Sequence, residues 1–299
     1  MSPRFACVGL VGRYEDARVA DSMSAFARHL LSRGLQVLVE RATEASGLPG
    51  GVEPVATAQL AERADLVVAV GGDGTMLYAA QLVIGRSVPL LGINRGRLGF
   101  LADVTPAEMT TRFDAVLAGE YQEDVRALLS ATLERPGQPA LSCHALNDVV
   151  IQKYETGHMI EFETWIGGAF VNKHGGDGLV IATSTGSTAY ALSCGGPIIH
   201  PQLDALVLAP ISPHTLSDRP IVVGRESDIE LRLAEHSPTR AQVTFDGTVL
   251  GELDHGGRLA VGAARQSITL LHPHGHDFFR ILRSKLHWGR SARNPDEPR

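Results

Sequence analysis

The sequence is poor in cysteine, in long apolar runs and in basic excess. Only Cys7, Cys143 and Cys194 occur among 299 residues, an odd count with no CxxC pair, so a disulfide framework is not expected. That count suits a reducing, cytoplasmic setting. No run approaches the 18 or so apolar residues that a membrane span needs. The apolar start of MSPRFACVGLVGRYED stops at Arg13, too soon for a signal segment, and reads as a first strand. A formal net charge of −6 argues against nucleic-acid or anionic-membrane binding. A small phosphorylated ligand stays allowed, because a local nest of backbone N–H groups binds phosphate even in an acidic protein. Missing too are Walker A (GxxxxGK[ST]), GxGxxG and HExxH motifs and any Ser-His-Asp arrangement.

What is present divides in two. With 44% hydrophobic and 20% charged residues, the composition is that of a globular protein with a substantial core. Up to residue 122, strand-like runs (FACVGLV, LQVLVE, DLVVAV, VPLLGIN) alternate with helical patterns. These helices are ARVADSMSAFARHLLSRG ending at Gly34, Ala56–Arg63, Thr75–Ile84, and PAEMTTRFDAVLAGE ending near Gly119. The alternation predicts an α/β N-terminal domain with a Rossmann-like parallel sheet. From 123 to 275 short β-rich segments such as LNDVVIQK, MIEFETWI, GLVIAT and AQVTFDG predict an antiparallel second domain with one short helix, Ser187–Ser193. A helix over 276–290 is expected to pack back on the first domain, and 291–299 reads as a frayed tail.

Two glycine-ringed aspartates stand out. In AVGGDGTMLYAA, Gly71, Gly72, Asp73, Gly74 and Thr75 link an apolar strand to a helix. Glycines at the carboxyl end of a parallel strand let backbone approach phosphate, and the helix start adds N–H groups. Asp73 there either caps the helix or serves chemistry, taking a proton, holding a metal or gripping a hydroxyl. The second stretch, GGDGLVIATSTGSTAYALSCGGP, contains Asp177 and a hydroxyl-rich turn ending in Tyr190. It reads as a ligand wall or as an ST-turn capping a helix.

Asn147-Asp148 in LNDVVI marks either a ligand contact or an edge-strand bulge. NRGRLGF offers Phe100 to a base or to the domain junction. HPHGH, His272 to His276, has no neighbouring carboxylate or cysteine cluster in sequence and reads as a solvated turn.

Taken together, GGDGT, LND, DGLVIATSTGSTAYALSCGGPI and SPHTLSDRPIVV, in this order, resemble the NAD kinase family, in particular its proteobacterial branch. GGDGT alone also occurs in diacylglycerol kinases and phosphofructokinases; the ordered set is specific, and the resemblance runs from Val8 to Trp288. It implies transfer of phosphate from ATP to the 2′-hydroxyl of the adenosine ribose of NAD, giving NADP. It implies Mg²⁺ or another divalent ion, a homodimer or homotetramer, and a site between the two domains.

By resemblance Asp73 is the base. Gly71, Gly72, Gly74 and Thr75 cradle ATP phosphates. Gly74, Phe100, Asn147, Asp148, Asp177, Thr188, Ala189, Tyr190, Ser193 and Asp246 contact NAD, and His158 reaches the site of a neighbouring subunit. No protein ligand to a metal is assigned. Relatives often carry Glu in place of Asp148, and close relatives carry Arg in place of Gly175. Here Lys173 and His174 are the nearest basic groups, so the chain is expected to accept NADH as well as NAD⁺. The alternatives are a lipid or sugar kinase built on GGDGT, or a non-catalytic dinucleotide sensor.

Overall fold

Runs as apolar as CVGLVG, LVVAVG and LLGIN must be covered on both faces, and they form the middle of a parallel sheet. The computed structural model describes residues 5–12, 16–41, 47–95, 99–155, 158–215, 217–237 and 239–287. The chain divides into two units, Met1–Val125 with Ile268–Arg299, and Arg126–Ser267. Residues 268–275, expected with the second domain, therefore group with the first.

The first unit opens with β1 (Cys7–Gly12), α1 (Ala17–Ser32), β2 (Gln36–Glu40) and β3 (Val52–Val55). It continues through α2 (Thr57–Arg63), β4 (Leu66–Gly71), α3 (Asp73–Val83), β5 (Leu90–Asn94) and α4 (Met109–Leu117). The strand order is β5-β4-β1-β2-β3, all parallel. This is the Rossmann-type order, and its direction of winding reverses between β1 and β4. Asp16 caps α1 by accepting the Arg18 N–H at 3.0 Å, and Gly34, at φ +75°, ends it in the left-handed conformation. Val19, Met23, Phe26, Ala27 and Leu30 form its buried stripe, and Phe26 meets Phe113 of α4 edge-on at 5.1 Å. The sequence reading omits β3; its Pro54 argues against a strand but is tolerated because β3 lies at the sheet edge.

The second unit follows from β6 (Tyr121–Glu134), within which the boundary falls, through β7 (Leu141–Ala145), β8 (Asp148–Lys153), β9 (Ile160–Ile166), β10 (Ala169–Gly176) and β11 (Gly178–Thr183). A 3₁₀ turn (Gly186–Thr188) and α5 (Tyr190–Ser193) lead to β12 (Ala205–Ile211), β13 (Ile221–Gly224), β14 (Ile229–Leu233), β15 (Ala241–Phe245) and β16 (Thr248–Leu253). One antiparallel sheet runs β13-β12-β11-β8-β15-β16. β10, β9 and β14 pair antiparallel in a second, with Leu259–Val261 of β17 (Arg258–Pro273) beside β14. Val149, Ile151, Phe162, Leu179, Ile181 and Leu231 fill the core of this unit.

The sequence reading missed β7, β12 and β16. β12 is wholly apolar with a proline inside, so it shows no alternation to betray it. In the first unit Leu270 of β17 registers beside Leu90, and α6 (Phe278–Leu286) closes the described chain. The expected frayed tail, 291–299, lies outside the described residues.

Candidate active site

In the first unit the N-cap of α3 is Gly72, which has no side chain to cap with, and Asp73 is the first helical residue. Its carboxylate turns to the loop after β5. Oδ2 accepts the Phe100 N–H at 3.2 Å and Oδ1 the Leu101 N–H at 3.1 Å. Each carboxylate oxygen keeps a lone pair beyond the one engaged. A Cβ on Gly99 would fall 2.3 Å from Asp73 Oδ1, so glycine there makes room for the carboxylate. A Cβ on Gly71 would fall 2.2 Å from Thr75 Oγ1, whereas Gly72 and Gly74 face open space.

The result is a fixed, half-exposed carboxylate between two accessible stretches of backbone. It lies at the carboxyl end of β4, beside β1, where ligands of open α/β sheets bind. The first turn of α3 adds N–H groups suited to an anion. Phe100 is half-buried, its ring 6.4 Å from that of Phe278 in α6.

In the second unit Asn147 precedes and Asp148 opens β8, which is flanked by β11 and β15, so the edge-strand bulge is set aside. Asp246 turns both carboxylate oxygens onto backbone. They accept N–H groups from Leu146 at 2.8 Å, Asn147 at 2.8 Å and Asp148 at 3.2 Å. On the other side the Thr183 N–H reaches the Asn147 carbonyl at 2.9 Å, and a Cβ on Gly186 would fall 2.1 Å from that oxygen. Asn147-Asp148 is thus held from both sides. The buried Asp148 carboxyl is pushed up to about 7, first by desolvation and then by the charge of Asp246.

Asp177 sits between β10 and β11 and pairs with Lys153, Nζ to Oδ1 at 2.7 Å. The sequence reading did not single out Lys153, the last residue of the LNDVVIQK strand. A Cβ on Gly178 would fall 2.0 Å from the Ile151 carbonyl oxygen, which makes that glycine obligatory. Gly175 differs: the nearest atom to a Cβ there is Met159 Sδ at 3.7 Å, an ordinary contact. Its basic neighbours are committed, Lys173 to Glu161 at 2.6 Å and His174 to Asp218 at 3.0 Å.

The hydroxyl-rich stretch separates into two sets. Ser187 is buried and bonds Ser184 and Ile199; the half-buried or exposed Thr188, Ala189, Tyr190 and Ser193 form the outer set. Burial raises the Tyr190 hydroxyl, and Cys194, Asp177 and Asp148 raise it further, so these groups share one electrostatic neighbourhood. His158 is exposed. HPHGH is not a solvated turn: His272 is buried and His276 nearly so, both against Asp103, and of its histidines His274 alone is exposed. The carboxylate that both rings meet arrives from the loop after β5. No helix among the described residues is long and apolar enough to cross a membrane.

The model of the ATP-NAD kinase N-terminal domain matches residues 8–121, and that of the C-terminal domain matches 146–272. The NAD kinase of Nitrosococcus oceani is 44% identical over 97% of this chain and 99% of its own. That of Hahella chejuensis is 44% identical over 96% and 97%. Among solved structures, an NAD kinase from Archaeoglobus fulgidus in complex with ATP superposes with a TM-score of 0.73 at 26% identity, covering 94% of this chain and 98% of that one. Yeast NADH kinase complexed with NADH shares the fold, with a TM-score of 0.87 at 24% identity over 97% and 92%. Matched in both its domains and along nearly its whole length, the chain belongs to the NAD kinase family.

Proposed function

We propose that the chain transfers the γ-phosphoryl group of ATP to the 2′-hydroxyl of the adenosine ribose of NAD, giving NADP and ADP, and that it takes NADH as well. The observation that carries this reading is the Asp73 carboxylate, fixed by two backbone N–H groups between open glycines at the end of β4. A ribose hydroxyl is a weak nucleophile. Asp73 accepts its proton as the new O–P bond forms, and the bond from γ-phosphorus to the β-phosphate oxygen breaks to release ADP. A positioned base of this kind is worth about 10²–10⁴ in rate. Backbone N–H groups of Gly72 and Gly74, with Gly71 and Thr75 beside them, are the proposed phosphate cradle, and in-line placement supplies much of the rest.

Mg²⁺, bound with ATP, neutralises phosphate charge. The only metal-capable cluster of His, Cys, Asp or Glu among the described residues is imidazole-rich, so the ion fits best as part of MgATP held mainly by phosphate oxygens. In the second unit Asn147 and Asp148 are proposed to hold the ribose, Asp177 the nicotinamide end, and Thr188, Ala189, Tyr190 and Ser193 the dinucleotide wall. His158 is proposed to serve a neighbouring subunit of a homodimer or homotetramer.

Acceptance of NADH follows from Gly175. No side chain is present there, and Lys173 is paired with Glu161 and His174 with Asp218, so position 175 itself offers no cation to read the nicotinamide charge. The test is NADP(H) formation with ATP and Mg²⁺, offering NAD⁺ and NADH separately. Comparable kcat/KM values support relaxed specificity; a hundredfold preference for NAD⁺ excludes it, and Gly175→Arg should create such a difference.

A further inference from the structure

We propose that Asp103, His272 and His276 form a binding site for a zinc-class divalent ion, in the first unit and separate from the residues assigned to phosphoryl transfer. Three structural pieces bring the donors together. Asp103 is held beside β5, where the Asn94 N–H reaches the Val104 carbonyl at 2.7 Å and Val104 N–H reaches Gly92 at 3.3 Å. His272 lies near the end of β17, its side chain 2% exposed. A turn with Gly275 at φ +95° then folds His276 back, so that the two rings stack with centroids 3.8 Å apart. Asp277 caps α6 through the Phe279 and Arg280 N–H groups and fixes the next step of the chain.

Asp103 Oδ2 lies 3.0 Å from His272 Nδ1 and 2.6 Å from His276 Nδ1. Ligands about 2.0–2.1 Å from a tetrahedral zinc stand about 3.3–3.4 Å apart, so the His272 pair would open by a few tenths of an ångström and the His276 pair by about 0.7 Å to admit the ion. Proton-bearing forms of the cluster leave polar atoms unsatisfied. Asp103 Oδ1 is buried without a hydrogen bond, and so is His272 Nε2, although Asp124 Oδ2 stands 3.4 Å from it. If neutral His272 gives its Nδ1 proton to Asp103, its Nε2 is a bare acceptor facing a carboxylate. If it is protonated, its two ring nitrogens face Asp103 and Asp124, and Asp103 Oδ1 still has no hydrogen bond.

A metal on Nδ1 would supply the partner that Asp103 Oδ1 lacks. The ring proton moves to Nε2, which then faces Asp124 in the carboxylate–histidine–metal arrangement that orients metal-bound imidazoles. Asp103 Oδ1 gains the ion as its partner. A cleft of about 350 Å³, lined in part by Asp103, Thr105 and His276, gives the site its approach from solvent. Two imidazoles and one carboxylate favour Zn²⁺, Co²⁺ or Ni²⁺ over Mg²⁺. The ion would staple the loop after β5 to the start of α6.

The test is Zn²⁺ and Co²⁺ titration of chelator-treated full-length protein without ATP, read by calorimetry, metal analysis and the Co²⁺ absorption spectrum. The expected result is one equivalent per chain with a tetrahedral Co²⁺ spectrum, a raised Tm, and no displacement by millimolar Mg²⁺. His276→Phe keeps the ring and removes the donor, and should weaken binding at least about 100-fold; Asp103→Asn should weaken it too. His274→Ala, at the exposed histidine, should bind as wild type does. Circular dichroism of the variants separates lost binding from lost fold, and His276→Gln replaces any variant that fails to fold. No tight binding by wild type, or equal binding by wild type and folded His276→Phe, would overturn the site.

Discussion

Asp148 carries the clearest pH signature at the scale of single residues. Its carboxyl stands at about 7 in the folded protein against an ordinary value of 3.8. Between these values the folded state keeps a proton that the unfolded chain has released, so stability falls as pH rises through the window. Below it both states are protonated and the effect vanishes. The full loss is bounded at about 4 kcal/mol. Asp148→Asn should therefore be more stable than wild type at pH 8, with the difference closing near pH 4, as measured by urea unfolding at both pH values. A variant less stable at pH 8 would contradict the burial cost assigned to Asp148. Asp73 was legible in the sequence because glycines ring it after a strand. Lys153 was not, since nothing local in LNDVVIQK indicates that its amine meets Asp177.

At the scale of elements, the segment before β8 depends on Asp246 in the turn between β15 and β16. Asp246→Ala removes the acceptor of three backbone N–H groups and should cost on the order of 2–4 kcal/mol. Its backbone at φ +45° adds strain for alanine that asparagine tolerates better. Asp246→Asn should therefore unfold at a urea concentration between alanine and wild type, and KM for NAD should rise in the same order. Equal unfolding midpoints for all three would remove the anchoring role.

A matched pair of glycines tests the packing. Gly178→Ala should lose several kcal/mol or fail to fold, because its Cβ meets the Ile151 carbonyl at 2.0 Å, whereas Gly175→Arg should keep the wild-type Tm within a few degrees. Parallel strands with flanking glycines announced themselves in the sequence. β3, β12 and β16 did not: an edge proline, an unbroken apolar run and a ribbon graded from exposed to buried each lack the alternation that marks a half-buried strand.

For the whole molecule, order in the sequence mattered more than any one motif. GGDGT alone fits several kinase families, but followed by LND, the hydroxyl-rich turn and SPHTLSDRPIVV it marked both domains of one family. What stayed hidden were contacts between residues distant in the chain. Asp103 joins His272 and His276 across 169 and 173 positions, and no spacing rule reaches that far.

The central claim is that Asp73 is the base of a phosphoryl transfer to NAD, and the assay that bears on it most directly is ATP-dependent NADP formation by wild type and Asp73→Asn. The account predicts turnover by wild type, and a kcat lower by about 10² or more in the variant with NAD binding retained. NAD binding without turnover in wild type, or an undiminished kcat in Asp73→Asn, would contradict it.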